Sequence, residues 1–267
     1  VKHALSLPNA GSPERLVEIA RMADESGWDA VFLWDHVQFF RQLEIELHDP
    51  FVLLGAIAHV TARVRIGAQV TAVARRRVAT FAKQIVTLDH LSGGRVNVGV
   101  GLGFPDGEFT AFGEPADLRR RAAITDEMLE VLPMLWSGEP VTFDGEHVHV
   151  DAHLRPPTVQ QPRPPIWIGC LWPNPRAVAR ARRVDGIAPL SADGQALTPE
   201  TFGEMMDAIG DVDDGYDFVA SVAPGFTEAQ YEAAGATWIV DSRWPQGDFL
   251  AELEAMATRN PSLLPRE

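Results

Sequence analysis

Eight short apolar runs, each followed by a stretch with helical periodicity, recur through the 267 residues, and this rhythm constrains the fold more than any other feature. The runs are residues 3–8, 30–35, 64–71, 95–102, 166–170, 185–190, 216–222 and 236–240. They are apolar almost without interruption, as strands covered on both faces are. The helices between them announce their starts. Ser12 caps a helix with Pro13 at its first position, Leu16, Ile19, Ala20 and Ala23 on its apolar stripe, and Gly27 at its end. Asp49 and Pro50 repeat the signature for a helix running to about Ala62. Further helices are expected over 78–91, 118–136, 175–183, 199–209, 227–234 and 247–258, with Pro133 kinking or shortening the last turn of 118–136. Short strands alternating with helices imply a parallel sheet. Eight such units in this length favour an α/β chain closed into a (β/α)8 TIM barrel over a doubly wound sheet. The expectation is one domain over residues 1–267, with an insertion over about 137–165 between the fourth and fifth units. That insertion reads as a hairpin over 140–150 turning at Asp144-Gly145, then a proline-rich bridge from Pro156 to Pro165.

Composition removes several functions. The net charge of −14 lacks the cationic footprint of a general nucleic-acid binder. No stretch has the roughly 18 apolar residues of a membrane span, and the start VKHALSLPNAG lacks the basic and apolar regions of a signal peptide. A single cysteine, Cys170, rules out an internal disulfide and fits a cytoplasmic setting. Lysine occurs only at Lys2 and Lys83, so the basic residues are almost all arginine. GC-rich coding explains most of that bias. The clusters at Arg75 to Arg77 and at Arg176 fall where a barrel would receive an anion, for which a planar guanidinium is suited.

Active sites of such barrels sit at the C-terminal ends of the strands, and this rule sorts the candidates. Trp34-Asp35-His36 ends the second strand, where a histidine can exchange a proton near neutral pH and an aspartate can orient it. Gln69, Val70 and Thr71 end the third. Gly99, Gly101 and Gly103 end the fourth; they read either as admitting a ring close to the backbone or as plain tight turning. Gly169 and Cys170 end the fifth, and Asn174 and Arg176 open a helix whose N–H groups suit a phosphate. Trp34, Phe39, Phe40, Phe104 and Trp172 either wall an apolar substrate pocket or serve packing. By contrast Asp89, His90, Ser92, Gly93, Gly94 and Arg95 precede the fourth strand and belong to the stability face. His147, His149 and His153 are explained by alternation in the hairpin, and no metal is expected. Glu44, Glu46, Asp106 and Glu108 lie in top-face loops without a spacing that singles out a catalytic pair.

Four strings then carry a resemblance: TARVRIGAQVT, AKQIVTLDHLSGGRVNVGVGLG, LWSGEPVTFDGEH and RPPIWIGC. Together, and in this order over roughly residues 3 to 190, they resemble the bacterial luciferase-like flavin- and deazaflavin-dependent oxidoreductases. The resemblance implies a (β/α)8 barrel that binds reduced coenzyme F420 or FMN at its C-terminal face, commonly as a homodimer. WDHV resembles the Asp-His of the deazaflavin branch, which implies that His36 faces the reactive ring with Asp35 beside it. It further implies a cis Gln69–Val70 bond behind the ring and the cofactor phosphate near Gly169, Cys170 and Asn174. Two departures stand out. Phe104 occupies the place of a glutamate acid found in sugar-phosphate dehydrogenases of the branch, and Cys170-Leu171-Trp172 replaces the Gly and Ser of many members. The resulting expectation is hydride transfer between coenzyme F420 and a small organic substrate. The alternatives are a monooxygenase using reduced FMN and oxygen, a non-redox barrel hydrolase, and a cofactor-free binding barrel.

Overall fold

In the computed structural model, which describes residues 1–261, the chain alternates strands and helices as the periodicity demands. The last six residues of the expected domain lie outside the described residues. The strands are β1 (Lys2–Leu7), β2 (Ala30–Leu33), β3 (Arg65–Ala68), β4 (Thr71–Ala72), β5 (Val98–Gly101), β6 (Pro140–Asp144), β7 (His149–His153), β8 (Ile166–Trp172), β9 (Gly186–Ser191), β10 (Asp217–Ala220) and β11 (Trp238–Ser242). The helices are α1 (Pro13–Ser26), α2 (Pro50–Val60), α3 (Val78–Ser92), α4 (Gly107–Thr110), α5 (Leu118–Trp136), α6 (Pro175–Ala181), α7 (Pro199–Ile209), α8 (Glu228–Ala233) and α9 (Phe249–Ala257).

Nine parallel segments run in the order β3-β2-β1-β11-β10-β9-β8-β5-β4. β3 and β4 are two halves of one stave, so the expected third strand over 64–71 is broken where the Gln69–Val70 peptide is cis. A bridge between Ile66 and Val96 joins the ends of the sheet and closes a barrel of eight staves. β6 and β7 stand apart as an antiparallel pair, with Pro140 opposite His153 and Asp144 opposite His149. Helix α5 runs through Pro133 to Trp136 rather than stopping early. Its last turn is held because Val131, Leu132, Leu135 and Trp136 are all buried, and burial outweighs the one backbone bond that proline removes. Helix α4 was not expected from the periodicity.

Side-chain alternation divides the apolar residues into two cores. The larger lies between staves and helices and takes Val31, Leu33, Ile66, Val98, Val100, Ile166 and Ile168 from the strands. The smaller fills the barrel: Ala4, Ala30, Phe32, Trp167, Val219, Trp238 and Val240. Within it Trp167 and Trp238 meet edge to face at 5.2 Å, and Asp217 accepts both indole N–H groups at 3.1 and 2.7 Å. That layer closes the lumen below, so chemistry is left to the mouth above it. Among the described residues no helix is long and apolar enough to cross a membrane.

Candidate active site

The same alternation decides what each strand end presents to the mouth. Ala30 and Phe32 face the lumen, so Trp34 continues that face and Asp35 points the other way, toward the helices. Trp34 donates its indole N–H to Ser6 Oγ at 3.2 Å. The loop that follows is pinned by Asn9, which is fully buried and donates to the carbonyls of His36 (2.8 Å) and His48 (2.7 Å). His36 then lies beside Phe39 and Trp34, with ring centroids 4.2 and 5.9 Å away. Trp244 touches both Trp34 and Phe39, and Phe40 bridges Phe39 to Phe104. These six rings make one continuous aromatic wall.

Behind the wall lies a buried ionic cluster. Asp35 Oδ1 accepts from Arg75 at 2.8 Å and from Arg76 at 2.6 Å, and its side chain is wholly buried. Arg75 also donates to Glu108 Oε2 at 2.9 Å. Glu108 Oε1 accepts the backbone N–H groups of Val37, Gln38 and Phe39 at 2.7, 3.0 and 2.8 Å, while Oε2 lies 3.2 Å from His36 Nδ1. Burial pushes the Glu108 carboxyl upward, but the hydrogen bond and charge of His36 and the loop N–H groups outweigh it and bring the pKa down to about 2. Two carboxylates and two guanidiniums are thereby matched, as burial requires. The His36 side chain is 20% exposed, and its Nε2 has no hydrogen-bond partner among the described residues.

In one quadrant of the mouth the strands present glycines toward the lumen. A Cβ on Gly101 would lie 2.5 Å from Val70 Cγ2, one on Gly169 2.6 Å from Val70 Cγ1, and one on Gly99 3.3 Å from the same atom. All three glycines face the lumen; Val70 fills the space that Gly101 and Gly169 leave, while at Gly99 the Ala68 carbonyl oxygen is nearest at 2.4 Å, and Val70 remains half-buried at the mouth. Beside it the Gln69 Oε1 is buried without a donor.

The sequence profile of the luciferase-like monooxygenases matches residues 2–255. The chain belongs to the luciferase-like monooxygenase family. It is 34% identical over 195 residues to an F420-dependent glucose-6-phosphate dehydrogenase of Gordonia bronchialis, covering 70% of this chain and 56% of that one. The chain spans about half the length of the curated relatives it matches. Among solved structures, a coenzyme F420-dependent tetrahydromethanopterin reductase from Methanopyrus kandleri superposes with a TM-score of 0.77 at 16% identity, over 97% of this chain and 98% of that one. A monooxygenase from Streptomyces bottropensis superposes with a TM-score of 0.70 at 25% identity, over 83% and 70% of the two chains.

Within this luciferase-like barrel the sequence candidates separate. His36, Trp34, Phe39, Phe40 and Phe104 come together as the aromatic wall, and Gln69 and Val70 stand at the broken third stave. Thr71 is buried in β4, paired with Val100. Several expectations need correction. Asp35 does not orient His36: it follows Trp34, points to the opposite side of the strand and takes Arg75 and Arg76, while His36 Nδ1 faces Glu108. Arg75 and Arg76 are not open to an anionic ligand, because Asp35 and Glu108 consume them. Gly101 and Gly169 make room for Val70, and Gly103 has φ 84° where a Cβ would strike Phe109. Cys170 and Trp172 pack against the outer core, since Trp167 and Gly169 take the lumen face of β8; Leu171 continues that face instead, 45% exposed. Burial also pushes the Cys170 thiol up to about 11. Asn174 Oδ1 already accepts the N–H groups of Arg176 and Ala177, so these are not free for a phosphate, and the Arg176 side chain beside them is exposed.

Glu108 and Trp244 were missed. Glu108 was visible only as one of several carboxylates in top-face loops, since nothing in its spacing joins it to His36. Trp244 lies just past the last strand, beyond residue 190, where the four strings that carried the resemblance end.

Proposed function

We propose that this chain transfers hydride between coenzyme F420 and a small organic substrate at the C-terminal mouth of the barrel. The observation that carries the reading is His36: its Nδ1 is tied to a buried carboxylate, while its partly exposed ring stands in an aromatic wall with Nε2 unbonded. Such a group can give or take a proton as charge develops on a substrate oxygen. The residues present fit a flavin-type ring. The orphaned Gln69 Oε1 is a buried acceptor that a ring N–H would satisfy, and Val70 offers an apolar surface beside it. When bound, the cofactor supplies a ring position that accepts or donates hydride. Gln69 and Val70 would hold the ring, Arg176 would meet its phosphate, and Trp34, Phe39 and Phe104 would exclude water around an apolar substrate.

The similarity to F420-dependent relatives supports this cofactor. A second reading, a monooxygenase using reduced FMN, is favoured by the Streptomyces bottropensis neighbour. Fluorescence titration with FMN and coenzyme F420 side by side tests both. Tight binding of F420 with weak FMN binding is expected; the reverse favours the monooxygenase, and binding of neither overturns the proposal. A homodimer in a cytoplasmic setting belongs to the same proposal, and light scattering checks the subunit count.

A further inference from the structure

Glu108 uses its two oxygens for two different tasks. Oε1 is committed to three consecutive backbone N–H groups, those of Val37, Gln38 and Phe39. Oε2 faces Arg75 Nη1 at 2.9 Å and His36 Nδ1 at 3.2 Å. The side chain is 1% exposed, so water does not complete the arrangement. An ionised carboxylate only accepts hydrogen bonds. The nitrogen opposite Oε2 must therefore bring its own proton. In a neutral imidazole a proton on Nδ1 leaves the lone pair on Nε2.

We infer that Glu108 is a positioning residue that fixes His36 in its Nδ1–H tautomer, so that Nε2 meets the mouth as a proton acceptor. The inference rests on the reading of His36 as the group that meets the substrate. The surrounding charges are consistent with it. Arg75 and Arg76 reach the cluster from the turn after β4, Asp35 adjoins His36 in the chain, and Asp49 at the start of α2 lies 3.9 Å from Arg76. Asp35 takes Arg76 and shares Arg75, so both guanidiniums stay charged and donate, leaving Glu108 as the acceptor that His36 Nδ1 faces. One carboxylate thus sets the tautomer of the histidine and the path of the loop that carries Phe39.

Glu108→Gln separates this role from mere support. The three backbone donors require an oxygen at the Oε1 position, so the amide nitrogen has to occupy the Oε2 position. There it donates to Nδ1, which must then give up its proton to Nε2, while Arg75 Nη1 loses its acceptor at that position and the guanidinium keeps Asp35 through Nη2. Nitrogen-15 NMR of the full chain at mildly alkaline pH reads the ring directly, with His36→Ala assigning the signals. In the wild type, Nδ1 is expected to give the protonated signal and Nε2 the lone-pair signal; in Glu108→Gln the two are expected to exchange. A wild-type ring protonated on Nε2 overturns the inference whether or not the variant folds. A folded Glu108→Gln variant that keeps the proton on Nδ1 also overturns it. The spectra need no cofactor, so a protein that binds neither FMN nor F420 still reports the tautomer, and failure of the proposed activity is read separately.

Discussion

Glu108 and His36 are 72 residues apart in sequence, yet Oε2 of one lies 3.2 Å from Nδ1 of the other. Because the carboxylate is buried and its pKa is lowered from 4.5 to about 2, it links stability to pH. The unfolded chain takes up a proton near the ordinary value, and the folded chain resists until about 2. The contribution is complete above the ordinary value and is lost as pH falls through the folded one, an effect of roughly 3 kcal/mol. Urea unfolding of the wild type and Glu108→Gln at about pH 5 and about pH 2 should show their stability difference shrinking by roughly that amount. A constant difference would exclude the linkage.

Asp35→Asn removes the counter-ion of two buried guanidiniums. Truncating one side of a buried pair costs roughly 3–5 kcal/mol. Chemical denaturation should show a loss of that order, with loss of catalytic rate following loss of fold. An Asp35→Asn protein of wild-type stability that is nonetheless inactive would instead give Asp35 a direct chemical role.

His36→Ala should behave in the opposite way. The ring is partly exposed and its removal leaves the other four charged groups paired, so stability should fall by only about 1 kcal/mol. Turnover with coenzyme F420 and a substrate, once found, should fall roughly 10²- to 10⁴-fold, the usual range for losing a proton-transfer group. Full turnover in this variant would remove His36 from its assigned role.

Gly101→Ala places a methyl 2.5 Å from Val70 Cγ2. Overpacking of this kind costs roughly 1–3 kcal/mol. Val70→Ala in the same chain should recover most of that loss, and a double-mutant cycle on unfolding midpoints measures the coupling. Additive effects would show that the two residues do not compete for the same space.

Cys170 should be nearly inert. With its thiol pushed up to about 11 by burial, little thiolate exists at neutral pH. Alkylation of the native protein should run far slower than that of the urea-unfolded chain. Equal rates would contradict the burial.

The barrel was legible because its signals are local. Caps such as Ser12 and Asp49, both followed by proline, and the near-continuous apolar strands need no knowledge of distant residues. The site was legible only in part. His36 and Trp34 were found because a strand end marks the catalytic face, and Gln69–Val70 because a motif resembled a known family. What failed was side-chain direction. Asp35, Cys170 and Trp172 lie at the correct heights but on the helix-facing side of their strands, and a shift of one residue reverses that side. Arg75 and Arg76 looked available because their partners, Asp35 and Glu108, come from other loops. Pro133 does not shorten α5 for the same reason: packing of the last turn is a tertiary fact.

Val70 has a consequence for how this mouth can change over time. Gly101 and Gly169, facing the lumen on two neighbouring staves, leave a single valine to define the floor of their quadrant. Lengthening or shortening that one side chain would raise or lower the floor by a methylene or two without altering any strand register. Cavity depth there is inherited through one codon rather than three, so related barrels can drift in the size of molecule they admit while their walls stay the same.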